Sequence, residues 1–263
     1  MYGNPDAYRE YEVRVGREVL VPLLRKWGWS PAGKRVLELG CAEAGLLEGF
    51  HEAGALVAGV DLSDARATDA KSRAPFPLTV YVADITKADL PERIGGAWDL
   101  VIFRDVIEHL GDKVQTMKNI RVLLAPMGKV FLETCPFFMP FGGHQQVLRS
   151  WMRAVPWLHV LPRSAYKHLL LTTLKQRPQL VDDLVEHTYD CGVTMRALNR
   201  LVRDTGFTIE HEHLYLINPA YRIRFGLPTI RWPFGSRFPL LPEFAATSVS
   251  MLLSPRSVPK TNL

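Results

Sequence analysis

Five short β-rich runs fall between residues 35 and 133, with helix-patterned stretches among them. This alternation constrains the fold more than any other feature of the chain. The runs span residues 35–39, 56–60, 78–82, 98–103 and 129–133, and helical patterns cover 46–53 and 114–124. Strands that alternate with helices read as βαβ units on a mostly parallel sheet. Ahead of them, residues 6–27 carry apolar positions at Val13, Val19, Leu20, Leu23 and Leu24, which predicts a helix with a kink at Pro22. Trp27-Gly28-Trp29-Ser30-Pro31 then punctuates the chain.

The pattern breaks after Cys135. Residues 136–181 are rich in Pro, Trp, Leu and Arg and read as an inserted cap. The α/β pattern resumes with a helix over 195–203, with Thr194 as N-cap and Gly206 just past its end. A strand over 208–215, an irregular stretch over 218–244 and a last strand over 247–253 complete it. The predicted organisation is one domain over 1–263. Its parts are an N-terminal helical segment (1–34), a core (35–135), a cap (136–190) and a C-terminal part (191–263) with a basic-aromatic insertion at 218–244.

Charge separates these parts. The net charge is +5. Yet residues 134–181 contain six cations and no acid, and residues 213–242 contain four cations and no acid. The remainder of the chain is therefore net acidic. Three scattered cysteines, Cys41, Cys135 and Cys191, argue against a disulfide framework and against zinc-binding spacing. With no leader pattern and no apolar run long enough to span a bilayer, the expectation is a cytoplasmic protein.

The chemistry-bearing turn follows the first strand, in Val36-Leu-Glu-Leu-Gly-Cys-Ala-Glu-Ala-Gly-Leu46. Small residues at Gly40, Ala42, Ala44 and Gly45 let backbone approach a ligand, at the carboxyl end of a strand where open α/β sheets bind ligands. Asp61 closes the second strand, at the distance where an acid takes ribose hydroxyls. A nicotinamide-binding domain would share this layout. The acids Glu38, before the first glycine, and Asp84, after the third strand, tip the reading toward a ligand carrying an amine or ammonium.

On the segments VLELGCAEAG, VAGVDLS, VADIT, WDLVIFRDVIEHL and LLAPMGKVFLE, the chain resembles the class I S-adenosylmethionine-dependent methyltransferase family, in its UbiG-like small-molecule branch. The resemblance covers about residues 35–135 and, less strongly, 190–255. It implies a Rossmann-like α/β fold with a mostly parallel seven-stranded sheet and helices on both faces, and S-adenosylmethionine as cofactor. By resemblance, Glu38 and the turn of Gly40, Cys41, Ala42 and Gly45 hold the methionine part. Asp61 with Leu62 takes the ribose, Asp84 with the Ile85 backbone reads the adenine amine, and Arg104 and Asp105 line the methyl end. Family members carry Gly where this chain has Ala42 and Ala44, so an ordinary backbone conformation is expected there.

An oxygen acceptor needs a base, and two histidines are candidates. His109 follows Asp105 at helical i+4 spacing, so the two are expected on one helix face. His144 lies in Phe141-Gly-Gly-His-Gln-Gln after the fifth strand. No metal site is expected. The His211-Glu-His213 pair reads as a solvated strand face, and His187, Tyr189, Asp190 and Cys191 as a loop before a helix.

The acid-free segments mix cations with Trp151, Trp157 and Tyr166, and with Tyr221, Phe225, Trp232, Phe234 and Phe238. That mixture suits an anionic membrane surface or a lipid-linked acceptor. The expected activity is O-methylation of a small lipophilic or lipid-linked acceptor, sugar or quinone-type, with peripheral attachment to the inner face of the membrane and no nucleic-acid partner. An RNA methyltransferase, a nicotinamide oxidoreductase and a non-catalytic cofactor-binding protein are the alternatives. Oligomeric state has no signature in the sequence.

Overall fold

The computed structural model describes residues 5–148, 150–233 and 241–256. Arg149, Phe234, Arg237 and Phe238, counted in the basic segments above, lie outside these residues.

The sheet is built on alternation within buried strands. In β1 (Arg35–Leu39), Val36 faces one layer of helices while Leu37 and Leu39 face the other. β4 (Trp98–Arg104) does the same, with Leu100 and Ile102 against Val101 and Phe103. Strands buried on both faces read as continuous apolar runs, which is how these segments look in sequence. Around them lie β2 (Leu56–Asp61), β3 (Thr79–Val82) and β5 (Leu124–Thr134), with β2 parallel to β1, β3 to β2 and β5 to β4. β6 (Phe207–Ile217) and β8 (Ser248–Pro255) complete the far side, and β8 runs antiparallel to both β5 and β6.

The order is β3-β2-β1-β4-β5-β8-β6-β7. There are eight strands, not the seven expected. The extra one, β7 (Ile230–Arg231), is a two-residue edge pairing with Tyr215 and Ile217 at the end of β6. A strand that short carries no period-two signal. The order reverses between β1 and β4, which opens a crevice at their carboxyl ends.

One face of the sheet is covered by α5 (Leu90–Ile94), α6 (Lys113–Leu123) and α9 (Met195–Asp204), whose Leu90, Met117, Ile120, Leu198 and Val202 join its core. Thr194 caps α9 by accepting from the Ala197 N–H, and Gly206 follows it at φ 81°. On the other face lie α1 (Pro5–Val15), α2 (Val21–Lys26), α3 (Gly45–Glu52) and α4 (Asp64–Arg73). A π-helical stretch, Gly16–Leu20, joins α1 to α2 just ahead of Pro22, so the expected irregularity precedes the proline. The π-helical stretch and α3 approach closely because Gly16 and Gly49 lack side chains: a Cβ on Gly49 would fall 2.5 Å from the Arg17 backbone nitrogen. The cap contains short turns, α7 (Arg163–His168) and α8 (Pro178–Glu186), around a separate apolar cluster of Leu148, Leu158, Tyr166, Leu170, Val181, Leu184 and Val185. In the stretch after β6, α10 (Ala220–Phe225) precedes β7, and α11 (Leu241–Ala245) precedes β8.

One polar contact fastens α1 to the sheet. Arg104, at the end of β4 and 7% exposed, donates to both Glu12 oxygens at 2.7 and 3.3 Å. Its guanidinium also lies 3.4 Å from Glu133 of β5 and 3.4 Å from Asp105. Burial works against the charge, but Glu12, then Asp105 and Glu133, outweigh it and keep Arg104 protonated. Removing one partner of a buried ion pair costs about 3–5 kcal/mol. Glu133 and Asp105 would soften that loss, so Glu12→Ala is expected to lower stability by about 2 kcal/mol. Urea unfolding checks this, and Arg104→Met, which leaves both Glu12 and Glu133 buried without their cation, is expected to cost more than Glu12→Ala.

Candidate active site

A cleft of about 560 Å³ opens at the carboxyl ends of β1, β2, β3 and β4. Its floor is the turn between β1 and α3. The Gly40 and Cys41 N–H groups both donate to the Val60 carbonyl, at 2.8 and 3.0 Å, and the Ala42 N–H donates to Asp61 Oδ2 at 2.9 Å. Gly40 has φ 73°, and a Cβ there would sit 2.6 Å from Val106 Cγ2, so conformation and space both require glycine. A Cβ on Gly45 would sit 2.4 Å from the Arg9 carbonyl oxygen. Ala42 and Ala44 do not adopt the ordinary conformation expected of them. They stand at φ 48° and 53°, in the left-handed region, at a cost of about 1–2 kcal/mol each. The turn thus keeps a glycine-like path, held by the Asp61 and Val60 hydrogen bonds.

The acids divide by environment. Glu38 is 6% exposed, and its Oε2 is buried without a hydrogen-bond partner. Burial, then Glu12, drives its carboxyl well above the usual carboxylate range against the pull of Arg104. Asp61 accepts one backbone N–H on each oxygen, from Ala42 and from Ser63, which leaves each oxygen lone-pair capacity toward the cleft. Leu62 beside it is 72% exposed and lines the cleft. Asp84 accepts from the Thr86 N–H and hydroxyl at 2.9 and 2.7 Å. Burial raises its carboxyl, but these two bonds outweigh it and hold it below its ordinary value. Asn119 of α6 donates to the Ile85 and Lys87 carbonyls and so fixes this loop from behind.

At the other end stand Asp105 and His109. The chain after β4 does not form the α-helix that i+4 spacing suggests. Asp105 has φ 52°, and a 3-10 turn covers Ile107–His109. The His109 ring instead lies 4.9 Å from His144 and 5.3 Å from His187, between ring centroids. Burial, then His144 and His187, pushes His109 down to about 4. His144 is also lowered by burial, and it is this histidine that Asp105 pushes back up. Between them Glu108 is buried, accepting from Thr134 Oγ1 at 2.9 Å, with Cys135 Sγ 3.5 Å away. Burial, then Asp105, pushes its carboxyl up to about 8.

All eleven residues assigned to the cofactor, and His109, line this cleft, while His144 stands behind His109. Sequence reasoning missed Tyr8 and Glu12, which line it as well; His187, expected in a loop before a helix, lies in a π-helical turn (His187–Cys191) and also lines it. Glu12 had a signal: an acid among the apolar positions of an amphipathic helix, one turn from Tyr8. His211 and His213 do not form a solvated face. Trp27 stacks on His211 at 5.4 Å and donates to His213 Nε2 at 3.3 Å, and burial pushes His213 down to about 4. Asp190 pairs with Arg163, and the Tyr189 hydroxyl donates to the His159 and Leu161 carbonyls, so both residues brace the cap.

The ubiquinone biosynthesis O-methyltransferase of Pseudomonas aeruginosa (strain LESB58) is 32% identical over 104 residues, which is 39% of this chain and 45% of that protein. The chain thus matches under half the length of that relative. Among solved structures, an S-adenosylmethionine dependent methyltransferase from Mesorhizobium loti superposes with a TM-score of 0.57 at 19% identity, over 95% of this chain and 99% of that one. Magnesium protoporphyrin IX methyltransferase from Synechocystis PCC 6803, with bound SAH, gives 0.51 at 19% identity over 94% and 86%. Both share the fold. Residues 8–212, most of the chain, match the family described as methyltransferase domain, and the chain belongs to that family.

Proposed function

We propose that the chain binds S-adenosylmethionine in the cleft and transfers its methyl group to an oxygen of a small lipophilic or lipid-linked acceptor, of sugar or quinone type. The observation that carries the reading is the unpartnered Glu38 Oε2, buried where strand β1 meets the turn. A buried carboxylate oxygen without a donor asks for a cationic one, and the ammonium of the cofactor's methionine part supplies it. Gly40 lets that part approach the backbone, Asp61 accepts from the ribose hydroxyls, and Asp84 with the Ile85 backbone meets the adenine amine. The named activity of the Pseudomonas relative supports oxygen as the acceptor atom, and the SAH bound in the Synechocystis structure supports the cofactor.

Bound S-adenosylmethionine supplies a methyl group on a sulfonium, ready for displacement. The residues of this chain align the acceptor with it and exclude water. Asp105 and His109 form the wall that receives the acceptor, with His144 behind His109 and Arg104 behind Asp105. Burial keeps both imidazoles neutral near pH 7, so His109 retains a lone pair for the acceptor hydroxyl proton, with His144 against its ring.

The cap supports action at an anionic membrane surface. Trp151 is 77% exposed, Phe141, Trp157, Val160 and Leu161 are exposed too, and so are Arg153, Lys175 and Arg177 of the same segment. Among the described residues no helix is long and apolar enough to cross a membrane. Apolar rings beside cations fit peripheral attachment, from the cytoplasmic side in this reading.

Two measurements test these readings. Calorimetric titration is expected to show S-adenosylmethionine and S-adenosylhomocysteine binding, no NAD binding, and a loss of about tenfold or more in Asp61→Asn. Glu38, partly protonated when free and ionised beside an ammonium, is expected to release a proton on binding near and below its raised pKa. The proton release would show as a dependence of the heat on buffer ionisation that disappears in Glu38→Gln. NAD binding, or no binding, would overturn the assignment. Sedimentation with anionic liposomes at low salt is expected to carry the protein down, less so for Trp151→Ala. Equal recovery in the supernatant with and without liposomes would remove the membrane part.

A further inference from the structure

A second cavity, of about 300 Å³, lies between the helical stretch 16–26 and the segment that follows β6. It shares no lining residue with the cofactor cleft. Small-molecule sites have volumes of roughly 300–1,000 Å³ and an apolar wall with a few placed polar groups. Here Val19, Pro22, Leu23 and Pro219 are the wall, Lys26, Tyr215 and Arg222 bring donors, and Glu18 is the one acid among the lining residues. We propose that this cavity is a second binding site of the chain, for a small ring-bearing carboxylate whose charge meets Lys26 and the Tyr215 hydroxyl and whose ring lies against the apolar wall. The proposal does not depend on the methyl-transfer reading.

The Tyr215 donor is set by a chain of hydrogen bonds that begins at Trp27. An indole N–H can only donate. It donates to His213 Nε2 at 3.3 Å, so Nε2 carries no proton. Burial, then Arg231 and Lys26, pushes His213 down to about 4, and the ring is neutral near pH 7. Its proton therefore sits on Nδ1, which donates to the Tyr215 hydroxyl oxygen at 3.1 Å. Burial, then Glu133, pushes the Tyr215 hydroxyl up to about 12, so it keeps its own proton. That proton has no acceptor among the described residues. Tyr215 is 3% exposed and lines the cavity, so the acceptor it lacks is one that a ligand can bring.

The charges select the ligand class. Lys26, at the end of α2, is exposed and forms no ion pair among the described residues. One ammonium and one phenolic O–H match the two oxygens of a carboxylate. A phosphate dianion fits less well. The Arg222 guanidinium is turned to Glu18, 3.4 Å away, and the Arg14 guanidinium, at 2.7 Å, holds the Glu18 carboxyl below its ordinary value. The wall thus already contains one ionised carboxylate, which repels a second negative charge on a ligand. Two proline rings and Leu23 offer rigid apolar surface, which suits a flat ring with few rotatable bonds.

The test uses the full chain saturated with S-adenosylhomocysteine, so that the cleft is filled. It is titrated by calorimetry with 1-naphthoate and, in parallel, with 1-naphthalenemethanol and 1-naphthyl phosphate. One naphthoate per chain is expected, bound about tenfold or more tighter than the neutral alcohol or the phosphate. Lys26→Met and Tyr215→Phe are each expected to weaken naphthoate about tenfold and to leave the alcohol unchanged, and Leu23→Trp, which fills the cavity, to remove both. Unchanged S-adenosylhomocysteine affinity in each variant shows that the fold is intact. Absence of naphthoate binding, equal binding of the alcohol, or binding that Lys26→Met and Leu23→Trp leave unchanged overturns the proposal. Preference for the phosphate overturns the carboxylate assignment. Naphthoate binding that S-adenosylhomocysteine abolishes places the probe in the cleft and also overturns it. A chain that binds naphthoate as expected but no S-adenosylhomocysteine would sustain this site and overturn the cofactor reading instead.

Discussion

The buried contact of Arg104 with Glu12 and Glu133 is the interaction on which the rest of the cleft depends. It joins the N-terminal helix, the end of β4 and the end of β5 at one point. Three acids around one guanidinium are stable only because the cation offsets their repulsion and loses little to solvent. Glu133 is tied in turn to β8 through the Ser250 hydroxyl. The floor of the cleft is therefore fixed from both halves of the sheet. Glu38 borders this network but forms no ion pair with it among the described residues. It is left as the acid with capacity to spare, which is why a cationic group of a ligand fits there.

Backbone strain is concentrated around the same cavity. Ala42, Ala44, Asp105 and His144 all adopt positive φ without being glycine. Strained conformations persist where surrounding bonds over-determine them. Here those bonds are the Asp61 carboxylate on the Ala42 N–H and the Glu133 carbonyl on the Asp105 N–H, at 2.9 Å each. The carboxyl ends of the strands thus form a preorganised rim, and the cap closes the side where His187 lines the cleft.

Much of this was legible in the sequence, for a physical reason in each case. The strands of a parallel sheet are buried on both faces, so β1, β2 and β4 stand out as apolar runs, and the acids at Glu38, Asp61 and Asp84 stand out because they end such runs. The convergence of those acids on one cavity follows from strand order alone. What could not be read was whatever depends on contacts between distant segments. The pairing of Glu12 with Arg104 spans the whole core. The neighbourhood of His109 and His144 depends on how the cap folds back. The i+4 rule placed Asp105 beside His109 only under the assumption of an α-helix, and the positive φ of Asp105 turns the chain out of that geometry. β7 was too short to carry a pattern, and the packing of Trp27 against His211 and His213 joins the first helical segment to β6.

The most direct test of this account is a crystal structure of the protein with S-adenosylhomocysteine. The account predicts its ammonium within hydrogen-bonding distance of Glu38, its ribose hydroxyls on Asp61, its adenine edge at Asp84 and Ile85, and its sulfur directed toward Asp105 and His109. A ligand bound outside this cleft, or bound in it with the adenine at the histidine end, would contradict the account.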